Sequence, residues 1–155
     1  AKAPMIIDRY GFRVDSGGAG KNRGGVGIER AYRFLAPTTA IVINYKTRTK
    51  PWSVGGGQVG VNNTVVLHEG TDQAEEVGFS TTHFDTGGKI TNLTGGGGGW
   101  GNAFDREPER VLRDVREGYV SVEAARRDYG VVIDPSTFTI DETATAAERS
   151  AANAG

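Results

Sequence analysis

The residues best suited to bind a ligand lie in a glycine-rich loop, residues 15–25. Five of its eleven residues are glycine, which permits positive φ angles and close approach of other groups. Polar side chains at its start can hydrogen-bond the local backbone and hold tight turns. Its two cations, Lys21 and Arg23, are expected to project, so the loop could bind an anion or dock on another protein. The candidate ligand or interface residues are Asp15, Ser16, Gly17, Gly18, Lys21 and Arg23.

A second glycine loop, residues 94–101, precedes a predicted helix and fits the pattern G-x-G-x-x-G. A helix that begins after glycines can bind an anion at its N-terminus. Here a spacer separates the loop from the helix, which favours a loop in which a large Trp packs and backbones approach closely. The pattern recurs at residues 55–60, but no amphipathic helix follows there, which indicates a turn between strands. The second set of candidate residues is Gly96, Gly98, Trp100 and Gly101.

No complete active site can be assembled from the remaining residues. Residues 18–21 resemble part of a P-loop, but Asn22 stands where a Mg²⁺-binding Ser or Thr is required. His68 and His83 are 15 residues apart, and His83 with Asp85 makes at most a fragment of two ligands. Zinc sites usually need three or four ligands. The catalytic residues are therefore left unassigned, and no metal site is predicted within this chain.

Alternating apolar residues predict most of the elements that must position these loops. Strands over residues 5–14 and 26–34 form a wide hairpin around the first glycine loop. Six or so short strands at close spacing predict a mainly β fold, with a sandwich- or barrel-like core of short antiparallel strands. The acidic stretch of residues 69–77 is expected to be exposed. The other predicted strands are residues 39–46, 64–68, 78–84 and 89–93.

Two short helices are predicted near the C-terminus. Pro108 is a favoured first-turn residue, with Asp105 or Arg106 as the cap, and Gly118 ends that helix. A second helix runs between a Ser cap at 121 and a Gly stop at 130. The arginines at positions 106, 110, 113 and 116 have helical spacing among acids, which predicts ion pairs on a solvated face.

The domain organisation follows from where the apolar residues end. Residues 1–134 are predicted to form a single mainly-β domain that ends in the helical pair. Residues 135–155 contain almost no large apolar side chain after Ile140. We therefore expect residues 135–155 to form an extended or partner-bound tail, which needs a partner to stay ordered.

Composition excludes several classes of protein. The 155 residues include no Cys, which excludes disulfides, thiolate metal sites and a cysteine nucleophile. No segment is long and apolar enough to span a bilayer, and the start of the chain shows no secretory h-region, so we expect a cytoplasmic protein without a membrane partner. The overall charge balance is mildly acidic, and the sequence lacks the interleaved basic and aromatic residues typical of RNA-binding proteins. We therefore expect no nucleic-acid partner.

Charge is unevenly distributed along the sequence. Residues 1–50 hold ten Lys and Arg against three Asp and Glu, whereas residues 51–104 hold one against five. The basic third could face a phosphate-bearing ligand or an acidic partner, or could be an ordinary solvated face.

Two stretches together resemble the C-terminal part of the hydantoinase B polypeptides. One runs from Arg9-Tyr10 through the first glycine loop to Gly27, followed by a strand that ends Tyr32-Arg33-Phe34-Leu35. The other runs from the second glycine loop and Trp100 through Asp105-Arg106-Glu107-Pro108-Glu109-Arg110-Val111 to residues 121–132. The order and spacing match over residues 5–134, so the chain is identified as a member of the hydantoinase B and oxoprolinase family.

This resemblance implies a role within a complex. In the family, an A-type polypeptide uses ATP to phosphorylate an amide or enol oxygen, and the B-type partner takes part in the hydrolysis or carboxylation that follows. Family B-type chains are several times longer, with their metal and substrate residues mostly upstream. The chain therefore resembles a separate small subunit, as in the acetophenone carboxylases, that is inactive alone. The implied partners are a larger hydantoinase-B-like subunit and a hydantoinase-A-like ATP-binding subunit, and the implied cofactors of the complex are ATP, Mg²⁺ or Mn²⁺, and bicarbonate.

Three interpretations stay open at this point. The first is a subunit of an ATP-dependent carboxylase (a ligase) that acts on an aromatic ketone such as acetophenone. The second is the equivalent subunit of an oxoprolinase-like lactam or hydantoin hydrolase. The third is a stand-alone β-domain that only binds a partner. Under the first two, Lys21 and Arg23 either face a charged intermediate or form ion pairs across a subunit interface.

Overall fold

The computed structural model of the chain describes residues 4–152, which form two compact units. Unit 1 consists of residues 1–13, 27–50 and 62–95, and unit 2 consists of residues 14–26, 51–61 and 96–155. Residues 1–3 and 153–155, which belong to the predicted domain and the predicted tail, lie outside the described residues. The interpretation of residues 1–134 as one domain stays a prediction.

Unit 1 is built on a five-stranded antiparallel sheet in the order β1-β2-β7-β4-β5. The predicted hairpin is present, since β1 pairs antiparallel with β2 from Met5↔Phe34 to Arg13↔Gly27. A bulge between Ile7 and Arg9 shifts the register of β1 by one residue. The strands are β1 (Met5–Arg13), β2 (Gly27–Phe34), β4 (Thr64–Leu67), β5 (Glu75–Val77) and β7 (Lys89–Leu93).

A second, two-stranded sheet covers part of the first. It pairs β3 (Thr38–Ile43) antiparallel with β6 (Phe79–Phe84). The two sheets meet in an apolar core of five buried side chains, Phe34, Val42, Val65, Leu67 and Phe84. The predicted mainly-β class with short antiparallel strands is thus confirmed, as an open two-layer arrangement rather than a closed barrel.

Strand β5 lies inside the acidic stretch 69–77, for which the sequence predicts only exposure. Its backbone pairs with β4 at the edge of the sheet, from Val65↔Val77 to Leu67↔Glu75. The two glutamates of β5 are exposed as predicted. An edge strand needs no apolar alternation, because backbone pairing supplies its contacts while charged side chains keep the edge soluble.

Unit 2 carries the helices on a second apolar core, which includes Val111, Ala125, Tyr129 and Val131. Helix α1 (Pro108–Arg116) and helix α2 (Val122–Tyr129) have the predicted extents. Ser121 caps α2 through a 3.0 Å bond from the Ala124 N–H to its Oγ, and Gly130 ends it with φ 62°.

The predicted cap of α1 is wrong. The N-cap residue is Glu107, which makes no side-chain capping bond. Asp105 instead ends a short 3₁₀ turn, Ala103–Asp105, which Asn102 caps by accepting a 3.0 Å bond from the Phe104 N–H. Pro108 at the first turn fixes the start of the helix without a side-chain cap, because proline has no N–H to satisfy there.

Residues 142–152 are not extended as expected, since they form a third helix, α3 (Glu142–Ala152), and the binding of this tail to a partner stays a prediction. Asp141 caps it by accepting a 2.9 Å bond from the Ala144 N–H. Thr145 is buried and accepts a 3.0 Å bond from the Val132 N–H, and Arg149 donates to the Tyr129 carbonyl. Polar side chains rather than large apolar ones therefore dock this segment on its own unit.

Candidate functional site

The predicted site residues come together in a set of three glycine-rich segments within unit 2. We call residues 16–25, 51–61 and 96–101 the glycine bundle. All three segments contact one another: the Gly97 N–H donates to the Gly25 carbonyl at 2.8 Å, the Gly99 N–H donates to the Gln58 carbonyl at 2.9 Å, and the Gln58 N–H donates to the Ala19 carbonyl at 2.7 Å. The fold thus brings both candidate loops to one place, together with the glycines at 55–60 whose pattern indicates only a turn.

Close backbone packing explains why these segments are rich in glycine. A Cβ atom at nine positions would lie closer than 3.0 Å to another stretch of backbone, a separation that real Cβ atoms essentially never show. At Gly98, for example, it would overlap the carbonyl oxygen of Trp52. None of the nine has a positive φ, so close approach rather than conformational freedom requires glycine here. The nine are Gly17, Gly18, Gly20, Gly24, Gly57, Gly60, Gly96, Gly98 and Gly99.

The backbone donors of the second glycine loop are bonded within the bundle. Gly96, Gly97, Gly99, Trp100 and Gly101 all donate their N–H groups to carbonyl oxygens of neighbouring segments. A phosphate cradle needs such N–H groups to point at the anion. The G-x-G-x-x-G spacing in this loop therefore reflects packing rather than a phosphate cradle.

At the start of the first loop, Asp15 and Ser16 have structural contacts. Asp15 adopts φ 59°, and its Oδ1 accepts a 2.8 Å bond from the Ser121 N–H at the start of α2. Ser16 is buried, and its carbonyl accepts a 3.0 Å bond from the Val61 N–H. Both residues therefore hold the bundle and the helices in register.

The two cations of the first loop have different environments. Arg23 does not project as predicted: its guanidinium lies 3.2 Å from Asp114 Oδ2 and 4.8 Å from the centre of the Tyr119 ring. Lys21 is exposed, and its ammonium forms no ion pair within residues 4–152. Of the two predicted charges, only that of Lys21 is open to a ligand.

A buried ion cluster beside the bundle was missed from the sequence. Asp114 is 5 % exposed and accepts a 2.8 Å bond from Arg106, which is 6 % exposed, as well as pairing with Arg23. Arg106 also donates to the Lys21 carbonyl at 3.0 Å. The placement of Arg106 on a solvated face is thus wrong. The available signal was Asp114 itself, which lies on the same helix face as Val111 and Val115.

Both tryptophans of the chain lie at the surface of unit 2. Trp100 is 52 % exposed and Trp52 is 81 % exposed, although the backbone of each is hydrogen-bonded or packed within the bundle. Trp100 is therefore half-exposed rather than packed in its loop as predicted, and its indole is accessible.

The two histidines belong to unit 1. The His68 ring stacks on Phe84 with centroids 4.7 Å apart, and His83 Nδ1 lies 3.3 Å from Thr39 Oγ1. Among residues 4–152, no three His, Asp or Glu side chains are grouped as a metal site would require. Burial raises the pKa of Tyr129, in the core of unit 2, to about 12.

Unit 1 contains a polar cleft of about 780 Å³ that the sequence did not indicate. Lys46, with φ 58°, and Arg48 lie on one wall, and Glu76 and Phe79 also line it. Two asparagines fix the turn at its base: Asn63 Nδ2 donates to the Tyr45 carbonyl at 2.8 Å, and Asn62 donates to the Thr47 carbonyl. Both amides are therefore bonded to the protein, and the polar groups of the cleft that are open to a ligand are exposed charged side chains such as Lys46, Arg48 and Glu76.

No helix within the described part of the chain is long and apolar enough to cross a membrane. The cytoplasmic location stays a prediction.

Comparison with known proteins gives a consistent set of relatives. The family model for hydantoinase B/oxoprolinase matches residues 1–103. The beta chain of caprolactamase from Pseudomonas jessenii is 36% identical over 96% of this chain and 26% of its own length. The B component of a putative D-/L-hydantoinase from a Pseudomonas species is 32% identical over 86% of this chain and 23% of its own.

Solved structures agree with these sequence matches. The crystal structure of ATP-dependent caprolactamase from Pseudomonas jessenii matches 95% of this chain and 26% of that chain, with a TM-score of 0.79 and 34% identity. Nucleotide-free acetone carboxylase matches 97% of this chain and 25% of that chain, with a TM-score of 0.79; at 24% identity this shows a shared fold. The chain thus spans about a quarter of the length of the relatives it matches.

Proposed function

Because this chain belongs to the hydantoinase B/oxoprolinase family, we propose that it is a component of a multisubunit ATP-dependent enzyme. The observation that carries this proposal is the match in fold and sequence between 95% of the chain and a quarter of the ATP-dependent caprolactamase chain. The partners we propose are a larger hydantoinase-B-like polypeptide and a hydantoinase-A-like ATP-binding polypeptide. On its own this chain is inactive.

The reaction we propose is carboxylation of an aromatic ketone such as acetophenone with bicarbonate. ATP, with Mg²⁺ or Mn²⁺, phosphorylates the enol oxygen on the ATP-binding polypeptide. The enol phosphate then reacts with bicarbonate: a bond forms between the α-carbon of the ketone and the carboxyl carbon as a C–O bond of bicarbonate breaks. The phosphoryl group passes from the enol oxygen to the hydroxide so released and leaves as phosphate, which restores the ketone. The likeness to acetone carboxylase over nearly the whole chain supports this form of the proposal, since that protein is described as carrying out ATP-dependent carboxylation of a ketone.

A second candidate function is ATP-dependent opening of a lactam or hydantoin ring. The higher identities favour it, at 36% for the caprolactamase beta chain and 32% for the hydantoinase component. In this reaction water attacks the carbon of the activated amide, and the C–N bond of the ring breaks.

ATP turnover by the native complex tests both. The complex would be purified through a tag on this chain, and phosphate release would be measured with acetophenone, with and without bicarbonate, and with caprolactam and 5-oxoproline. Turnover that requires ketone and bicarbonate together is the expected result. ATP turnover that needs a cyclic amide but no bicarbonate would instead support the second function, ring opening, over carboxylation. Purification of a 16 kDa monomer without either partner would leave a stand-alone binding domain and overturn the proposal.

Lys21 is the residue of the first loop that we propose faces the phosphorylated or carboxylated intermediate. Its exposed ammonium sits on a bundle whose backbone is fixed by internal hydrogen bonds, so the charge is presented from a rigid support. The role of Arg23 is to position this loop through Asp114.

The change Lys21→Ala should lower turnover of the assembled complex by about tenfold to a hundredfold, as for loss of one electrostatic contact. Subunit stoichiometry should be unchanged. Lys50→Ala, which removes an exposed lysine of unit 1, is the matched control. Normal turnover by Lys21→Ala in an intact complex would show that Lys21 plays no part in the chemistry.

A further inference from the structure

The two sheets of unit 1 differ in width, and this leaves part of one face uncovered. The first sheet has five strands, whereas the second has only β3 and β6. The shared core joins β3 and β6 to side chains of β2, β4 and β7, namely Phe34, Val65, Leu67 and Ile90. Strand β1 and the adjacent part of β2 contribute no other side chain to this core.

The register shows that the uncovered half belongs to the same face as the core. Leu67 lies opposite Ile90, and Ile90 lies opposite Tyr32, so these three share one face. Ile7 lies opposite Tyr32 and therefore points the same way. Tyr10 lies opposite Arg30, which is two residues from Tyr32 and so on the same face. The bulge at Asp8 inserts one extra residue into β1, and Ile7 and Tyr10 therefore share this face although they are three positions apart.

Large apolar side chains are exposed on this half of the face. Ile7 is 53 % exposed and Tyr10 is 64 % exposed, although both lie on the face that buries Leu67 completely. Along β1, every residue from Met5 to Gly11 is exposed. A sheet half of this composition is normally covered by a second layer.

The free edge of β3 borders this half and can extend the second layer. A gap of about 230 Å³ between the sheets is lined by Ile41, Val42 and Ile43 of β3 and by Tyr32 and Ile90. The Asn44 N–H donates to the Gly78 carbonyl, on the side of β6. Because donors alternate along an antiparallel strand, the N–H groups of Ile41 and Ile43 point to the open edge.

Arg30 gives the uncovered half a charge. Its guanidinium lies 4.8 Å from the centre of the Tyr10 ring and donates a 2.8 Å bond to the Tyr32 hydroxyl. Within residues 4–152 it has no carboxylate partner, and its Nε is buried without a hydrogen bond. An acidic side chain on whatever covers this half would pair with it.

We propose that a β-strand of the larger hydantoinase-B-like polypeptide pairs with the free edge of β3 and covers Ile7, Tyr10 and Tyr32, with an acidic side chain facing Arg30. The relatives supply the argument for this occupant, since about three quarters of their chain lies outside the region that matches here. A strand added there would widen the second sheet to match the first and bury the exposed apolar half. This inference rests on the proposed function.

Site-specific photocrosslinking tests the docking surface in the native complex. The photoreactive amino acid p-benzoylphenylalanine would replace Tyr10 in one tagged version of the chain and Thr81 in another. Thr81 lies opposite Ile41 on the outer face of the second sheet and is exposed, so it is a matched position away from the proposed strand. We expect position 10 to crosslink to the hydantoinase-B-like polypeptide, identified by peptide sequencing, and position 81 not to.

Substitutions give an independent readout of the same surface. Ile7→Asp combined with Tyr10→Asp should weaken association with the co-expressed hydantoinase-B-like polypeptide by at least about tenfold, whereas Thr81→Asp should leave it unchanged. Ile41→Pro, which removes an N–H from the open edge but no bond to β6, should also weaken it. Circular dichroism of each free chain would verify folding.

The outcomes separate the two proposals. If the hydantoinase-B-like polypeptide co-purifies but crosslinks only from position 81, or still binds the Ile7/Tyr10 variant normally, the docking surface is wrong and the proposed function stands. A crosslink from position 10 to a second copy of this chain would overturn the proposed occupant. If no hydantoinase-B-like polypeptide accompanies the chain, the proposed function fails and this inference fails with it.

Discussion

Individual glycines in the bundle have unequal importance, because only some of them touch backbone on the side where a Cβ atom would point. Gly98 faces the Trp52 carbonyl in this way, whereas a Cβ at Gly25, in the same bundle, would have nothing within 4 Å. This difference allows the role of close packing to be tested with two chemically identical substitutions.

Gly98→Ala should lower the free energy of unfolding by at least about 3 kcal/mol, because the backbone of a fixed segment must move to admit the methyl group. Gly25→Ala should be neutral or stabilise by up to about 1 kcal/mol through the unfolded state. Urea denaturation followed by circular dichroism measures both. Equal stability of the two variants would mean that the bundle yields readily and that its glycines are required for something else.

Tyr129 should make the stability depend on alkaline pH. Burial raises its pKa from 10.0 to about 12, so between these values the native state keeps a proton that the unfolded state releases. The unfolded state then binds fewer protons, and stability falls as pH rises from about 10 to about 12, by up to about 1.4 kcal/mol per pH unit. Below pH 10 this contribution is fully present.

Urea midpoints measured across that range, for the natural chain and for Tyr129→Phe, check this expectation. The Phe variant should show a shallower decline above pH 10, because it has no phenol to ionise. The same slope in both proteins would contradict the assignment of the effect to Tyr129.

At the residue scale, sequence reasoning located the important loops but not the state of their charges. Lys21 and Arg23 are the cations of the first loop. Arg23, however, forms an ion pair with Asp114, which lies 91 positions away in the sequence. Such a pair is invisible in local spacing, because the fold alone brings residue 23 beside helix α1. The single local sign was a carboxylate on an apolar helix face, which a buried ion pair explains.

Among the elements, those with strong local signals were predicted well. The strands with alternating apolar residues, and the helix that begins after Ser121 and ends at Gly130, could be predicted because their signals lie within a few residues of sequence. Strand β5 and helix α3 were missed because neither has an apolar stripe: β5 is held by backbone pairing, and α3 by polar contacts to residues that are distant in sequence.

Helix α3 should therefore depend on a small number of polar contacts. Thr145→Val keeps the size of the side chain but removes the buried acceptor for the Val132 N–H, so it should destabilise the protein by about 1–3 kcal/mol. Thr143→Val, at an exposed position of the same helix, should change stability by less than about 0.5 kcal/mol.

Hydrogen exchange locates this effect. In Thr145→Val, the amides of α3 and of Val132 should exchange faster, while those of β2 and β7 should keep their protection. Unchanged protection of α3 would show that its other contacts, such as Arg149 with the carbonyls of Tyr129 and Arg106, are sufficient to hold it.

For the molecule as a whole, the charge asymmetry of the sequence largely disappears in the fold. Unit 1 holds nine Lys and Arg against seven Asp and Glu, and unit 2 holds nine against twelve. Arginines of the first 50 residues pair with acids brought to them by the fold, as Arg9 does with Glu69 and Arg23 with Asp114. Neither unit therefore concentrates the basic charge of residues 1–50.

Unfolding of the whole chain should occur in one transition. Both tryptophans, Trp52 and Trp100, belong to unit 2, whereas β2 and β7 belong to unit 1, so tryptophan fluorescence and hydrogen exchange of the β2 and β7 amides report on different units. Each strand of the β1–β2 hairpin continues directly into a segment of the bundle, which makes independent unfolding costly. Coincident urea transitions by the two probes are expected. Separate midpoints would show that the units unfold independently and would also count against a single domain over residues 1–134.

The interleaving of the two units also constrains how such a gene can change. The chain passes from one unit to the other five times, at residues 13/14, 26/27, 50/51, 61/62 and 95/96. No single cut between residues 14 and 95 separates the units, so neither can be duplicated, lost or exchanged by recombination as one contiguous stretch of DNA. A gene fission or fusion that preserves both units must therefore place its junction outside the coding sequence for residues 4–152.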